Sequence, residues 1–191
     1  MASDRQYLDS LQTYYIRHRV LPSYAAIGRL VGLRSKASVA ELVGRLKSHR
    51  LLESTADGRL KPGPRFFERP LVDAVPAGSP TPAVESTPDG LSIDQALIRD
   101  PSRTVLVTVK GDSMVGAGIH EGDVVVVEKR TNARAGDIVI AIVDNEFTLK
   151  RLAFERGRPV LKPENKTCAV IRPKGSLEIF AVVVGMFRRY R

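Results

Sequence analysis

The stretch GDIVIAIVDNEFTLKRL, residues 136–152, decides the fold of the second half of the chain. Two runs rich in Val, Ile and Phe flank Asp144-Asn145, a pair typical of a tight turn between antiparallel strands. The stretch therefore predicts a β-hairpin that carries Lys150 partway along its second strand. Further runs of this kind predict an almost all-β region, and they span residues 104–110, 123–129, 159–162 and 177–187.

A short motif, Gly-Asp-Ser-Met at residues 111–114, follows the first of these runs and places Ser113 at a strand end. A serine hydroxyl is a poor nucleophile at neutral pH and needs a base, which can be the neutral amine of a buried lysine. Lys150 is the candidate base, because burial among apolar neighbours disfavours its ammonium form. Taken singly, a turn serine at 113 and a solvated strand lysine at 150 are each favoured over a catalytic role.

Residues 62–90 contain seven prolines mixed with Gly, Ser and Thr, a composition that predicts a linker or extended arm. The part from 71 to 78 is unusually apolar for a linker, which suits a segment that docks as an extended strand into a cleft. It ends at Ala77-Gly78, where small side chains allow close approach to the peptide bond. We therefore expect Ser113 to attack the Ala77 carbonyl, although the dipeptide alone also fits an ordinary flexible pair.

The positive charge of the chain is concentrated at its beginning. The 191 residues carry a formal net charge of +9 and are 43% hydrophobic, enough for two small domains. Residues 1–72 hold 13 Lys and Arg against 6 Asp and Glu, whereas the rest holds 17 against 15. A basic domain fits a polyanionic partner such as nucleic acid, and a merely solubilising surface is the alternative.

The basic region has the sequence pattern of a winged helix-turn-helix. Apolar periodicity predicts helices over residues 4–18, 23–30 and 35–49, and a hairpin turning at Asp57-Gly58 follows them. Two short helices joined by a tight turn at Gly32 suit a motif whose recognition helix enters the major groove. A plain three-helix bundle with solvated charges is the alternative.

The candidate DNA contacts lie on the third helix and on the wing. Basic side chains of both elements can reach phosphates, and polar or small side chains at the start of the third helix are placed nearest to base edges. The candidate residues are Arg34, Ser35, Lys36, Ala37, Ser38, Glu41, Arg45, Arg59 and Lys61.

Several other kinds of protein and site are not expected. The longest apolar runs are far shorter than the roughly 20 residues of a membrane-spanning helix, and the N-terminus is polar and acidic, unlike a signal peptide. We therefore expect a cytoplasmic protein without a membrane anchor. Cys168 is the single cysteine and forms no zinc-ligand spacing, so we expect a small buried thiol and neither metal nor cofactor.

In combination and order these motifs resemble those of LexA-type repressors, and the resemblance spans nearly the whole chain. In that family a winged helix-turn-helix, a hinge and a Ser-Lys protease domain follow one another. The segments that carry the resemblance are 32–35 at the turn into the recognition helix, Ala77-Gly78 at the cleavage site, 111–114 around the nucleophile, 148–152 around the base, and 161–165, a further family segment.

The resemblance implies an α+β protein with three parts. These are a winged helix-turn-helix domain over 1–61, a hinge and cleavage-site arm over 62–90, and a mostly-β autopeptidase and dimerisation domain over 91–191. We expect the strand at 179–187 to form part of the dimer interface. It implies a homodimer that binds palindromic double-stranded operator DNA and represses DNA-damage (SOS) response genes. It also implies cleavage at Ala77-Gly78 by Ser113 and Lys150, stimulated by RecA filaments on single-stranded DNA.

Two departures and one alternative accompany the resemblance. Ala37 and Ala40 stand where familiar members carry asparagine and glutamate, so the operator is expected to differ, and Pro76 beside the scissile bond is expected to tune the cleavage rate. The second half of the chain is equally similar to UmuD-type subunits of mutagenic DNA polymerases. Those subunits lack a winged helix domain, so residues 1–61 argue against that alternative.

Overall fold

The computed structural model describes residues 4–71 and 89–190. Contacts between residues divide the chain into two compact units, 1–93 and 94–191. Each unit has its own hydrophobic core. No helix in the described part of the chain combines the length and apolar character that a membrane span requires.

The first unit contains the three predicted helices. They are α1 Asp4–His18, α2 Tyr24–Val31 and α3 Lys36–Ser48. The hydroxyl of Ser23 caps α2, and that of Ser35 accepts two N–H groups of the first turn of α3 at 3.1 and 3.3 Å. Gly32 ends α2 with a φ of 75°, a left-handed conformation that glycine adopts without strain. The predicted helices and their end signals are confirmed to within one residue.

The wing is the next element, and it also has the predicted form. Strands β1 Leu52–Ser54 and β2 Leu60–Pro62 pair antiparallel. Gly58 in the turn between them has a φ of 79°. A second short ladder joins β3 Arg69–Leu71 to β4 Asp89–Leu91.

The core of the first unit extends past the wing to Phe66. The Phe66 side chain is fully buried, and its carbonyl accepts a hydrogen bond from the side-chain amide of Gln12 on α1. The other buried members of this core are Leu11, Ile27, Val39, Leu42, Val43, Leu46 and Leu52. The start of the hinge at residue 62 stays a prediction, but the packed first unit includes Phe66.

The second unit is built on a six-stranded antiparallel sheet, with only a five-residue helix α4 Ile93–Leu97 before it and one turn of 3₁₀-helix at Val115–Ala117. This confirms the mostly-β prediction. The strands run in the order β5-β6-β10-β7-β8-β9 across the sheet. They span Thr104–Thr108 (β5), Val124–Glu128 (β6), Ile138–Val143 (β7), Glu146–Glu155 (β8), Arg158–Lys162 (β9) and Leu177–Phe187 (β10).

The β7–β8 hairpin determines where Lys150 points. Asp144 and Asn145 form its turn with φ values of 48° and 70°, the conformation that a two-residue turn of this kind requires. This turn sets the register that pairs Lys150 with Val139. Since side chains alternate along a strand, Thr148 and Lys150 lie on the same face of the sheet.

We expect Phe66→Ala to lower the free energy of unfolding of the first unit by about 3 to 5 kcal/mol, because it leaves a cavity in the core. Phe67→Ala is the matched control: this neighbouring ring is 44% exposed, and its removal should cost about 1 kcal/mol. Urea unfolding of the full chain, followed by circular dichroism at 222 nm, measures both. Equal losses would show that Phe66 does not belong to the core.

Candidate active site

The structure places Ser113 and Lys150, 37 residues apart in sequence, in direct contact. Lys150 Nζ lies 2.8 Å from Ser113 Oγ. Ser113 comes from the loop that follows β5, and Lys150 comes from the middle of β8. The loop and the hairpin thus present a hydroxyl and an amine to each other at hydrogen-bond distance.

The Lys150 amine is buried and has two further partners. Lys150 is only 9% exposed. Its Nζ donates to Thr148 Oγ1 and to the Leu149 carbonyl, each at 3.0 Å. Burial lowers the pKa of Lys150, and the electrostatic interaction with Cys168 opposes that shift. The neutral amine is therefore populated at lower pH than in an exposed lysine.

This set of partners suits a neutral amine as well as an ammonium. A neutral amine has two N–H donors and one lone pair. The Leu149 carbonyl and the Thr148 hydroxyl can accept the two N–H bonds, which leaves the lone pair facing the Ser113 hydroxyl. The arrangement can therefore take the serine proton without any rotation of the lysine side chain.

The loop that carries Ser113 is held by its own backbone and by a buried neighbour. Gly111 and Gly118 adopt φ values of 87° and 77° on either side of Ser113. Met114 is only 2% exposed and packs into the core of the unit. Ser113 and Met114 lie in a loop, and their N–H groups donate to no backbone carbonyl of the described residues. They are therefore available to bind an oxyanion.

An ion pair between a buried carboxylate and an exposed arginine holds the far end of the same loop. The Asp123 carboxylate is 1% exposed and accepts bonds from Arg188 Nε at 2.5 Å, from Arg188 Nη2 at 2.6 Å and from the His120 N–H at 2.7 Å. Arg188 also donates to the Gly118 carbonyl at 2.9 Å. Hydrogen bonding to Arg188 lowers the pKa of Asp123 to about 2, against an opposing effect of burial.

Sequence reasoning missed Thr148, Asp123 and Arg188. Thr148 carries a usable signal, because it precedes Lys150 by two residues in a strand and so must share its face. Asp123 and Arg188 are 65 residues apart, and no local pattern joins them. Cys168 is half-buried, so the prediction of a buried thiol is wrong.

The predicted scissile pair, Ala77-Gly78, lies outside the described residues. A cavity of about 250 Å³ lies next to the dyad, between the end of β5 and the β7–β8 hairpin. It is lined by apolar side chains together with Thr108, Lys110 and Thr148; the apolar members are Val107, Val109, Val125, Ile140, Phe147 and Leu149.

The candidate DNA contacts occupy the surface of the first unit. All are exposed except Ser38, which is half-buried. Arg45 is held by Asp4 at 2.9 Å and by Glu41 at 3.2 Å. Arg59 pairs with Asp57 at 3.1 Å, and Lys61 pairs with Glu53 at 3.0 Å. In the described part of the chain, Arg34 and Lys36 at the start of α3 form no ion pair with a carboxylate.

We expect Thr148→Val to lower the pKa of Lys150 further, because it removes an acceptor that stabilises the ammonium form. Thr104→Val is the matched control, since it removes a hydroxyl that bonds the Asp100 carbonyl elsewhere in the same unit. Nuclear magnetic resonance titration of ¹³Cε-labelled lysine measures the pKa, with the Lys150 signal assigned by its absence from the Lys150→Met protein. An unchanged pKa in Thr148→Val would contradict the role given to this hydroxyl.

Comparison with known proteins identifies the family. Residues 70–184 match the Peptidase S24-like family. The LexA repressor of Opitutus terrae is 36% identical over 189 residues, which cover 95% of this chain and 94% of the relative. The LexA repressors of Syntrophotalea carbinolica and Clostridium acetobutylicum are 34% and 33% identical, with coverage of 98% and 100% of this chain and 95% and 100% of those relatives.

These relatives cover both units of the chain, so the alternative of a UmuD-type subunit is not favoured. The chain belongs to the LexA repressor family, and its second part belongs to the Peptidase S24-like family.

Proposed function

We propose that this protein is a transcriptional repressor that inactivates itself by cutting its own Ala77–Gly78 bond with Ser113 as nucleophile and Lys150 as base. The observation that carries the proposal is the 2.8 Å contact between Ser113 Oγ and the buried Lys150 Nζ. Membership of a repressor family and of a peptidase family supports the two halves of the proposal.

The chemistry follows the pattern of serine acyl transfer. Neutral Lys150 accepts the Ser113 proton while Oγ attacks the Ala77 carbonyl carbon, and the N–H groups of Ser113 and Met114 receive the developing oxyanion. The tetrahedral intermediate collapses, the bond to Gly78 breaks, and Lys150 returns the proton to the leaving amine. Water, activated by the same amine, then hydrolyses the ester between Ser113 and Ala77.

The surroundings of the dyad suit an apolar arm as substrate. The cavity between β5 and the β7–β8 hairpin offers apolar walls beside Thr148, whose hydroxyl accepts a hydrogen bond from Lys150 Nζ. The arm sequence from 71 to 78 is itself mainly apolar. Apolar side chains of the arm that enter this cavity would be removed from water, and this burial favours docking of the scissile bond.

We expect self-cleavage to accelerate as the pH rises from 7 towards 10, because a larger fraction of Lys150 becomes neutral as the pH passes its lowered pKa. Intact-mass measurement should find fragments 1–77 and 78–191 from the wild-type chain and none from Ser113→Ala or Lys150→Ala. Cleavage of the same bond in either variant would overturn the assignment of nucleophile or base. We further propose that RecA filaments on single-stranded DNA stimulate this cleavage, as the family resemblance implies, so the series is repeated in their presence.

The first unit supports the repressor half of the proposal. The exposed start of α3 and the wing carry the candidate contacts to double-stranded operator DNA, and residues 1–72 carry a net positive charge. In the proposed function the chain acts as a homodimer on DNA-damage (SOS) genes. Cleavage between the halves then weakens binding, because the two DNA-binding units lose the link that held them on one operator.

Strand β10 has pairing properties that suit a dimer contact. Residues 177–182 pair with β7 on one side, whereas residues 182–187 pair with β6 on the other side. Each half of β10 therefore keeps one edge free of the described sheet. Val184 in the second half is 44% exposed. An antiparallel contact between two copies along the free edge of residues 182–187 would satisfy the backbone groups of that edge and bury Val184.

We expect Lys36→Ala to weaken operator binding and to reduce the slope of log affinity against log salt concentration by about 1, as for the loss of one phosphate contact. Lys174→Ala in the second unit removes an equal charge and should leave the slope unchanged. Arg45 should contribute less than Lys36, because Asp4 and Glu41 already hold its guanidinium. Electrophoretic mobility shift in a salt series measures the slopes, and equal slopes for both lysine variants would contradict the contact.

A further inference from the structure

The segment Leu161–Asn165, which resembles LexA-type repressors in sequence, passes behind the loop that carries Ser113, here called the nucleophile loop. The Glu164 N–H donates to the Ser113 carbonyl at 2.8 Å, and the Gly116 N–H donates to the Glu164 carbonyl at 2.6 Å. A single residue thus binds the backbone of Ser113 and the backbone three residues beyond it.

The next residue, Asn165, holds the other side of Ser113. Its side-chain amide donates to the Asp112 carbonyl and to the Asp112 carboxylate, each at 3.2 Å. Its side-chain oxygen accepts from the backbone N–H of Thr167 at 3.1 Å and from its hydroxyl at 2.8 Å. The hydrogen bonds from Thr167 therefore fix the orientation in which the Asn165 amide donates to Asp112.

The approach of this segment to the loop requires glycine at 116. A Cβ on Gly116 would lie 2.5 Å from the Glu164 carbonyl oxygen, a separation that real side chains do not tolerate. Any larger residue would push the segment and the loop apart. The close backbone contact between Gly116 and Glu164 is therefore a specified feature of the site.

The side chain of Glu164 connects this contact to the strand of the base. Its carboxylate pairs with the guanidinium of Arg151, which also donates from Nη1 to the Gly136 carbonyl at 2.6 Å. Arg151 directly follows Lys150 in β8. A closed ring of contacts results, from Ser113 to Glu164, to Arg151, to Lys150 and back to Ser113.

We propose that Glu164 and Arg151 are positioning residues that set the separation of Ser113 Oγ from Lys150 Nζ. This inference rests on the proposed function of the dyad. Neither residue touches the reacting atoms, and both act through the backbones of the two residues that do. The Glu164 side chain is 31% exposed and that of Arg151 is 35% exposed.

The contribution of such a pair should be seen in the rate rather than in stability. Partly exposed ion pairs add little to the free energy of unfolding. A displacement of reacting groups by about 1 Å, in contrast, can reduce a rate by about 100-fold. A role in positioning and a role in folding therefore predict different measurements.

The test compares full-length variants by their first-order rate constants of self-cleavage at alkaline pH. We expect Glu164→Gln and Arg151→Met each to lower the rate at least about tenfold, and Arg151→Lys, which keeps the cation, to recover part of it. The double variant should be no slower than the slower single one, because both changes break the same contact.

The matched control is Glu155→Gln, which removes a carboxylate from β8, the strand that carries Arg151. Glu155 pairs with Arg172 at 3.0 Å and with Lys162 at 3.3 Å, and its side chain is 37% exposed. Its rate should stay within about twofold of the wild type, as for a surface ion pair remote from the chemistry.

A second measurement separates dyad geometry from docking of the arm. A fluorophosphonate reagent labels an activated serine directly, without the arm as substrate. We expect labelling of Ser113 to slow in Glu164→Gln and Arg151→Met by a factor similar to that of self-cleavage. Their thermal midpoints should stay close to that of Glu155→Gln.

The outcomes distinguish the failure of this inference from the failure of the proposed function. Cleavage by Ser113→Ala or Lys150→Ala overturns the proposed function itself. Inactive dyad variants together with wild-type rates in Glu164→Gln and Arg151→Met overturn only the positioning role. Slower cleavage with unchanged fluorophosphonate labelling, or with a matching loss of thermal stability, also overturns it, because the pair would then affect docking or folding.

Discussion

Burial of the Lys150 amine beside Ser113 is the constraint on which the second unit depends. An ammonium loses hydration when it is buried, and this loss must be offset by hydrogen bonds or relieved by deprotonation. The structure offers both routes, since the Thr148 hydroxyl and the Leu149 carbonyl accept from Nζ while Ser113 faces its lone pair. The β7–β8 register brings these groups together, so the turn at Asp144-Asn145 affects the chemistry at a distance.

The loop that carries Ser113 is anchored at two places by segments distant in sequence. Arg188, just after β10, holds the Asp123 carboxylate and the Gly118 carbonyl at the far end of the loop. Glu164, after β9, holds the backbone beside Ser113 itself. Removing Arg188 leaves the buried Asp123 carboxylate without its cationic partner, whereas the Glu164–Arg151 pair, in which both side chains are partly exposed, can be lost at little cost in stability. The two anchors therefore have different energetic characters.

The two units have separate cores, and this separation gives the proposed self-cleavage its effect. Among residues 4–71 and 89–190, the core around Phe66 and α1–α3 contains no residue of the second unit, and the cores under the sheet contain none of the first. The proposed cut after residue 77 falls between Phe66, the last buried member of the first core, and Val109, the first buried member of the second unit's cores, so it would leave all three cores whole. In the proposed function, loss of repression would then follow from the loss of the covalent link between the two units, with no need to unfold either.

The sequence by itself determined the elements whose signals are local. Helix caps, the wing turn, the Asp144-Asn145 hairpin and the apolar strand runs each depend on residues a few positions apart, so they could be predicted in place. The motifs around Ser113 and Lys150 named the candidate dyad. Only the tertiary structure decided that Phe66 completes the first core, that Asp123 meets Arg188, and that Glu164 contacts both the Ser113 backbone and Arg151. The contacts of Gln12 with Phe66, of Asp123 with Arg188 and of Ser113 with Glu164 link residues 54, 65 and 51 positions apart. At such separations periodicity carries no information, and packing alone selects the partner.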